Sequence, residues 1–293
     1  MNLESFREMA TLRAGFILSA FLLITFVLMP VQVLLVRLPG HASKWLAHFY
    51  HRFVCSLFGV RIAVIGAPAQ GGVLMVANHS GWLDIPILTA IAPVSFVAKA
   101  EVGQWAFFGT LARLQRTVFI RRARSKAVED RDNIRRRLLH GDALVIFPEG
   151  TSSDGNRVLG FRSALLSAAE LPLGEHGHHI RHPQVQPVSI AYVALHGIPM
   201  GRENRPFFAW YGDMELVPHL WEALESGPID VTVEFHPSVT IDEAGGRKKL
   251  AAHCEAAVRS GLVRALAGSD AAAAPPSGDE ALDEADAEAE EAA

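Results

Sequence analysis

The pattern of apolar and polar positions sets the first part of the chain apart from the rest. Residues 14–36 form a run of 23 residues without a charged side chain, and Arg13 and Arg37 stand at its two ends. A helix of that length can cross the hydrocarbon core of a bilayer, which is about 30 Å thick. Pro30 also allows a kinked helix that enters one leaflet and returns. We therefore predict a membrane anchor over residues 1–38, either spanning or re-entrant.

Residues 41–58 carry a second, amphipathic pattern. Trp45, Phe49 and Phe53 recur at helical spacing, with basic and histidine side chains between them. This pattern predicts an interfacial helix that lies along a lipid surface. The alternative is a helix that packs on the core of the protein itself.

Beyond residue 60 the pattern changes to short apolar runs, rich in β-branched residues, that alternate with segments of helical period. This alternation predicts an α/β domain with a mixed, largely buried sheet flanked by helices. We place the domain at residues 39–268. The candidate strands are residues 61–66, 73–77, 95–100, 117–121, 143–147, 185–192, 206–212 and 229–236, and the candidate helices are residues 85–91, 102–114, 126–139, 161–169, 216–224 and 247–266.

Charge is distributed unevenly along the chain. Residues 269–293 hold nine of the 31 acidic residues and no basic one, which leaves 27 basic against 22 acidic residues before them. A tail rich in Ala, Asp and Glu cannot bury enough apolar surface to fold, so we predict that it is disordered. Ten basic residues lie between Arg113 and Arg137. They suit anionic lipid or an acidic carrier protein, and we predict no nucleic-acid partner.

The first block with candidate chemistry directly follows the predicted strand 73–77 and reads Asn78-His-Ser-Gly-Trp-Leu-Asp84. A turn at its start would bring Asp84 back to His79, whereas one continuous helix would hold the two side chains apart. A carboxylate on Nδ1 leaves Nε2 to accept a proton, as a general base requires. The alternative is a structural histidine, with Asp84 capping the next helix.

The second block follows the predicted strand 143–147 and offers a carboxylate, a glycine and hydroxyls. Glycine allows a ligand to approach the backbone closely, and two arginines nearby suit a phosphate or a carboxylate. The alternative is a turn with a surface glutamate. The candidate binding residues are Glu149, Gly150, Thr151, Ser152, Arg162 and Arg122.

Motifs of several other enzyme classes are missing from the sequence. It contains no G-x-S-x-G, no GxxxxGK[ST], no GxGxxG and no HExxH, which disfavours serine hydrolases, nucleotide-binding folds and zinc proteases. Cys55 and Cys254 form neither a disulfide framework nor a metal-ligand spacing. The histidines between residues 176 and 182 lack a carboxylate or cysteine partner at a familiar spacing. We therefore predict neither a metal nor a cofactor.

The blocks together resemble the glycerolipid acyltransferase family, whose best-known members are 1-acylglycerol-3-phosphate acyltransferases. The resemblance covers residues 73–205. Asn78-His-x4-Asp84 matches the family's NHx4D block, in which the histidine is the general base and the aspartate orients it. Three further blocks follow in the family's order, namely Phe119-Ile-Arg-Arg122, Phe147-Pro-Glu-Gly-Thr151 and Val185-Gln-Pro-Val-Ser-Ile190.

The resemblance implies roles for particular residues. Acceptor binding would fall to Arg122, to the residues of the third block and to Arg162, while Pro187 and Val188 would lie near the acyl path. The family often has an arginine where this chain has Ser152, so the headgroup of the acceptor is open on this evidence.

The resemblance also implies an activity. A fatty acyl group would pass from acyl-CoA or acyl-carrier protein to the free hydroxyl of a lyso-lipid. The basic residues flanking the apolar run, two before it and three after it (Arg37, Lys44 and Arg52), favour the cytoplasmic side of the inner membrane for the domain. Lysophosphatidate is the first expectation for the acceptor, and a lyso-ornithine lipid is the alternative. A silent lipid-binding protein and a hydrolase are alternatives of other classes.

Overall fold

The computed structural model describes residues 3–121, 127–176 and 179–268; Arg122, His178 and the predicted disordered tail lie outside these ranges. The α-helices are α1 Leu3–Arg37, α2 Ala42–Phe58, α3 Asp84–Ile91, α4 Ala106–Leu114, α5 Ala127–Leu139, α6 Leu216–Ser226, α7 Ile241–Ala244 and α8 Arg247–Ala267. The strands are β1 Val60–Ile65, β2 Val73–Ala77, β3 Ser95–Lys99, β4 Val118–Ile120, β5 Ala143–Ile146, β6 Gly174–His176, β7 His179–Arg181, β8 Gln184–Leu195, β9 Ile198–Pro199 and β10 Ile229–Phe235.

The main sheet is mixed, as the sequence predicts. Its strand order is β1-β10-β8-β2-β5-β3-β4, with β9 paired to β8. From β8 through β2, β5 and β3 to β4 all neighbours are parallel, whereas β10 runs antiparallel to β8. The parallel strands therefore end at a common edge, and that edge carries both candidate blocks.

Helices cover both faces of this sheet. In β2, Val73, Met75 and Ala77 pack in the core cluster that contains residues of α1, α2, α3 and α6. Leu74 and Val76 point to the opposite cluster, which contains residues of α5 and α8. All five side chains are buried. A strand covered on both faces reads as a continuous apolar run, which is why β2 shows no polar alternation.

Helix α1 packs along the side of the domain. Ala14, Ile17 and Phe21 are buried in the core, while Leu12 and Phe16 on other faces of the helix are exposed. Among the described residues, α1 is the helix whose length and apolar composition would suffice to cross a membrane. Its packing gives it a protein-facing side and an apolar side with no protein partner.

Helix α2 packs on the domain, and its place at a lipid surface stays a prediction. Val54 and Cys55 lie in the core of the domain, so the helix packs on the protein. Trp45, Phe49 and Phe53 are about half exposed, at 48, 59 and 46%. They form an apolar stripe directed away from the domain.

The predicted strand 206–212 is wrong. Arg205–Phe208 forms a short 3₁₀ turn, and residues 209–215 continue without regular structure. Pro206 lies in the first turn of this 3₁₀ segment, where its fixed φ is tolerated. The backbone N–H of Trp210 donates to the carbonyl of Ser80 at 2.8 Å, so this segment lies against the first candidate block.

Two predicted helices also differ from the structure. The stretch 102–114 is divided at Trp105, whose extended backbone separates a 3₁₀ segment, Ala100–Gln104, from α4. The stretch 161–169 is the 3₁₀ segment Ser163–Glu170 rather than an α-helix. In both stretches apolar residues recur about every third or fourth position, a spacing that a 3₁₀ segment shares with an α-helix.

Candidate active site

A tight turn brings His79 and Asp84 together. Strand β2 ends at Ala77, the chain turns through residues 78–83, and α3 begins at Asp84. The Nδ1 atom of His79 lies 2.8 Å from Oδ2 of Asp84. Because a carboxylate only accepts hydrogen bonds, Nδ1 is the donor, and in the neutral ring Nε2 then has the free lone pair. The ring of His79 is 22% exposed and the carboxylate of Asp84 is fully buried.

The carboxylate of Asp84 also holds the turn itself. Its Oδ2 atom accepts the backbone N–H groups of Ser80 at 2.8 Å and Gly81 at 3.0 Å. The N-cap residue of α3 is Leu83, which makes no side-chain cap bond. The alternative in which Asp84 caps that helix is therefore wrong, because its acceptor atoms face the preceding turn.

Two further residues, Asn78 and Tyr192, hold the site in place, although the sequence motifs predict no role for either. The side-chain amide of Asn78 accepts from the N–H of Ile190 at 2.8 Å and donates to its carbonyl at 2.9 Å, which ties the end of β2 to β8. The hydroxyl of Tyr192 donates to Oδ1 of Asp84 at 2.6 Å. Tyr192 could have been identified from the sequence, because a tyrosine in a buried apolar strand needs a hydrogen-bond partner for its hydroxyl.

Glu149 lies beneath the first block rather than open to solvent. Its Oε1 atom accepts the backbone N–H of His79 at 3.4 Å, and the residue is 2% exposed. Burial raises the pKa of Glu149 to about 8, and the nearby charge of Asp84 acts in the same direction. The alternative of a surface glutamate is wrong, whereas contact with an acceptor stays a prediction.

Gly150 and Arg162 are placed side by side. Gly150 has φ of +71°, the left-handed region that favours glycine. A Cβ atom at this position would lie 3.2 Å from the guanidinium of Arg162. Arg162 is exposed, and its backbone N–H donates to the carbonyl of Pro148 at 3.0 Å. The glycine thus leaves room for a cation above the turn.

The hydroxyls of the second block have different surroundings. Thr151 is exposed. The hydroxyl of Ser152 donates to the carbonyl of Trp210 at 2.5 Å, and the N–H of Ser153 donates to the carbonyl of His79 at 2.8 Å. Ser152 therefore fixes the segment that carries Trp210.

The remaining predicted residues lie away from this cluster or cannot be placed. Arg122 is outside the described residues. Pro187 and Val188 are buried within β8, opposite Val76 and Ala77 of β2. Neither residue lines the apolar cavity beside His79, and their position on an acyl path stays a prediction.

An apolar cavity of about 330 Å³ opens beside His79. The ring of Phe147 stacks on that of His79 with centroids 4.0 Å apart, and Trp82 and Trp210 complete the same end of the wall. Helices α1, α2 and α4 supply much of the remaining wall. The arrangement combines a base with an available lone pair and a space that accepts an alkyl chain.

Within the described residues no three His, Cys, Asp or Glu side chains lie together as a metal site. In the histidine-rich stretch, His182 bonds to Asp242 at 2.6 Å.

Comparison with known proteins agrees with this geometry. A family model described as "Acyltransferase" matches residues 61–191. The chain is 45% identical over 260 residues to a lyso-ornithine lipid O-acyltransferase of Brucella abortus, covering 88% of this chain and 97% of that protein. It is 30% identical over 200 residues to a 1-acyl-sn-glycerol-3-phosphate acyltransferase of Neisseria meningitidis, covering 67% and 72%.

The fold has a counterpart among solved structures. The crystal structure of the 1-acyl-sn-glycerophosphate acyltransferase PlsC from Thermotoga maritima matches with a TM-score of 0.61 at 22% identity, over 88% of this chain and 95% of that one. The chain belongs to the acyltransferase family. Within it, the protein is an acyltransferase of the type that acts on lyso-lipids.

Proposed function

We propose that the protein transfers a fatty acyl group from a thioester donor to the free hydroxyl of a lyso-ornithine lipid. The observation that carries the choice of acceptor is the 45% identity to a protein of that name along almost its whole length, against 30% for a lysophosphatidate enzyme over a shorter region. This reverses the order that the sequence motifs suggest, in which lysophosphatidate comes first.

The geometry supports a direct transfer. His79, oriented by Asp84, takes the proton of the acceptor hydroxyl at Nε2, and the oxygen attacks the thioester carbonyl. The imidazolium then returns the proton to the leaving thiol, and the buried carboxylate of Asp84 stabilises the positive ring in between. A base placed in this way contributes roughly 10²–10⁴-fold to a rate. The donor is acyl-CoA or acyl-carrier protein.

The charges around the second block support a zwitterionic headgroup. Ser152 directs its hydroxyl to a backbone carbonyl, so it adds no cation to the acceptor side. The exposed guanidinium of Arg162 beside Gly150 can pair with one carboxylate through two parallel hydrogen bonds. The ornithine headgroup of the lipid presents one free carboxylate and one side-chain ammonium group. Lysophosphatidate instead presents a phosphate of nearly two negative charges.

The packing of α1 supports a location at the membrane surface. The buried stripe of α1 lies against the domain, so a helix perpendicular to the bilayer would draw the domain into the lipid. We place α1 within one leaflet, with Phe16, Leu23 and Phe26 in the hydrocarbon and the exposed stripe of α2 at the interface. The free, buried thiols of Cys55 and Cys254 fit the reducing cytoplasmic side.

The test is a side-by-side assay of the purified protein in detergent micelles. Lyso-ornithine lipid and lysophosphatidate are offered separately with each donor, and both product and free fatty acid are measured. We expect acylated ornithine lipid as the main product, no fatty acid without acceptor, and no product from His79→Ala. His140→Ala, an exposed histidine on the far side of the sheet, serves as the matched control. Turnover of lysophosphatidate alone would overturn the proposed acceptor and leave the proposed chemistry standing.

A further inference from the structure

The two oxygens of the Asp84 carboxylate have separate tasks. Oδ2 receives Nδ1 of His79 and the N–H groups of Ser80 and Gly81, all within 3.0 Å. Oδ1 receives the hydroxyl of Tyr192 at 2.6 Å. Tyr192 is 2% exposed and Asp84 is completely buried, so water does not replace this donor.

We propose that Tyr192 is a positioning residue of the acyl-transfer site, which acts on His79 by holding Oδ1 of Asp84. The inference rests on the proposed function, because it assigns a role in the reaction that His79 carries. Nothing in the four sequence blocks singles out this tyrosine.

The Tyr192 hydroxyl restricts the orientation of the Asp84 carboxylate. A carboxylate with one oxygen unbonded can rotate about its last torsion, and its other oxygen then leaves the imidazole. Tyr192 comes from β8, and the double hydrogen bond between Asn78 and Ile190 fixes that strand two residues before the tyrosine. Ile190 and Tyr192 lie on the same face of the strand. The Tyr192 hydroxyl is therefore held at a fixed distance from the C-terminal end of β2, and His79 follows directly after that end.

The hydrogen bond from Tyr192 also has an electrostatic effect. The buried carboxylate is stabilised by the donors around it, and the Tyr192 hydroxyl draws negative charge toward Oδ1. Without that donor the carboxylate attracts the proton of the imidazolium more strongly. His79 would then stay protonated to higher pH, and a general base must be neutral to act.

The titratable groups around this network come from three elements besides β8. Asp84 is in α3, Glu149 follows β5, and Cys55 of α2 acts on Tyr192. These groups are present in both the wild-type protein and Tyr192→Phe, which lacks only one hydroxyl. A difference between the two pH profiles therefore reports on the Tyr192 hydrogen bond.

The test is a set of four proteins, namely wild type, Tyr192→Phe, Asp84→Asn and the double variant. Steady-state rates are measured from pH 5 to 10 with whichever lyso-lipid the wild type acylates best. For Tyr192→Phe we expect kcat to fall about 10-fold, KM for the donor to stay unchanged, and the acidic limb of the rate profile to move to higher pH. In the Asp84→Asn background, the same change should cost nothing further, since its target has lost its charge.

Tyr211→Phe is the matched control, because it removes a hydroxyl from an exposed tyrosine. Replacement of Tyr192 by a fluorotyrosine keeps the side chain's size and strengthens its donor, so the acidic limb should then move to lower pH. This second variant tests the proposal even if Tyr192→Phe melts at a lower temperature.

Two results would overturn the inference. One is a Tyr192→Phe enzyme whose rate and pH profile match those of Tyr211→Phe. The other is a loss that is equally large with and without Asp84, because it would show a role in packing alone. A wild-type protein that acylates no lyso-lipid would instead refute the proposed function, so the two failures are distinguishable.

Discussion

At Ser152 one side chain links the second block to a distant loop. The sequence draws attention to this serine because related enzymes often have arginine there, but it does not show what the hydroxyl does. Its partner is the carbonyl of Trp210, which lies 58 positions away along the chain. The same holds for Tyr192 and Asp84, which are 108 positions apart. The pairing of His79 with Asp84 could be predicted because the two residues are five positions apart. The long-range pairs depend instead on how distant segments of the chain pack.

Ser152→Arg should shift the acceptor preference. The arginine loses the hydrogen bond to Trp210 and brings a cation beside Arg162, which favours phosphate over the ammonium of ornithine. We expect the ratio of kcat/KM for lysophosphatidate to that for lyso-ornithine lipid to rise about 10-fold. Ser152→Ala, which removes the same hydrogen bond without adding charge, is the control. Equal ratios in the two variants would contradict this reading of Ser152.

Glu149→Gln should change how stability depends on pH. Burial raises the pKa of Glu149 to about 8, well above its ordinary value near 4.5. The folded state therefore binds more protons than the unfolded state between these pH values, and the free energy of unfolding falls as pH rises through them. In urea denaturation between pH 5 and 9, the wild type should lose more stability than Glu149→Gln.

The loss of stability with rising pH should be about 1.4 kcal/mol for each unit by which the pKa of Glu149 differs between the folded and unfolded states. Glu203→Gln, an exposed glutamate, should follow the wild-type curve. Parallel curves for wild type and Glu149→Gln would mean that Glu149 is ionised in the folded protein without cost.

At the scale of elements, burial on both faces made the central strands predictable. The predicted strand 185–192 is the inner part of β8, which extends three residues further because β10 and β9 also pair with it. The strand prediction failed at 206–212, where Trp210 lines the cavity and its backbone N–H donates to the active-site turn. One arginine of the basic stretch has a structural role. Arg137 forms an ion pair with the buried Asp142, to which Lys44 of α2 also pairs.

Helix α8 reaches β8 closely because of one glycine. The hydroxyl of Ser189 bonds to Nε2 of His236 at 2.7 Å and donates to the carbonyl of Val258 at 3.0 Å. A Cβ atom on Gly261 would lie 2.3 Å from that hydroxyl and 2.9 Å from Cε1 of His236. The hydroxyl cannot move aside without losing both hydrogen bonds.

Gly261→Ala should therefore lower the melting temperature. Alanine favours a helix by up to about 1 kcal/mol relative to glycine, but overpacking costs about 1–3 kcal/mol. We expect the clash to exceed the gain. Gly15→Ala in α1, where a Cβ atom meets nothing within 4 Å, is the matched control and should not destabilise the protein. A melting temperature of Gly261→Ala at or above that of the control would show that α8 can move away.

At the scale of the whole molecule, the α/β class was predictable and the strand order was not. Alternating apolar runs and helices indicate a mixed, covered sheet, but β1 pairs with β10 across the length of the domain. Such pairing depends on how distant segments pack. The placement of α1 is of the same kind, because length and hydropathy describe a helix that could span a bilayer. The surface position that we propose for it rests on its packing against the domain.

Cysteine labelling should determine how the molecule lies on the membrane. Burial raises the pKa of Cys55 and of Cys254 to about 12, so neither native thiol should react with maleimide in the folded protein. Glu8→Cys and His41→Cys place exposed thiols before and after the apolar run. A surface helix puts both thiols on the cytoplasmic side, so an impermeant maleimide should label both in inside-out vesicles and neither in intact spheroplasts. Labelling of one from each side would show a spanning helix.

The wall of the apolar cavity includes Phe21, Thr25 and Met29 of α1. The hydroxyl of Thr25 lies 2.7 Å from that of Tyr50 in α2, so the two helices are joined at the cavity itself. The helices that we propose to lie on lipid therefore also enclose the cavity that we propose for the substrate's alkyl chain. A molecule that dissociates from the bilayer would expose this space to water. With this placement, the protein's own architecture would confine the chemistry to the membrane in which its substrates are dissolved, without a separate inhibitor in the aqueous phase.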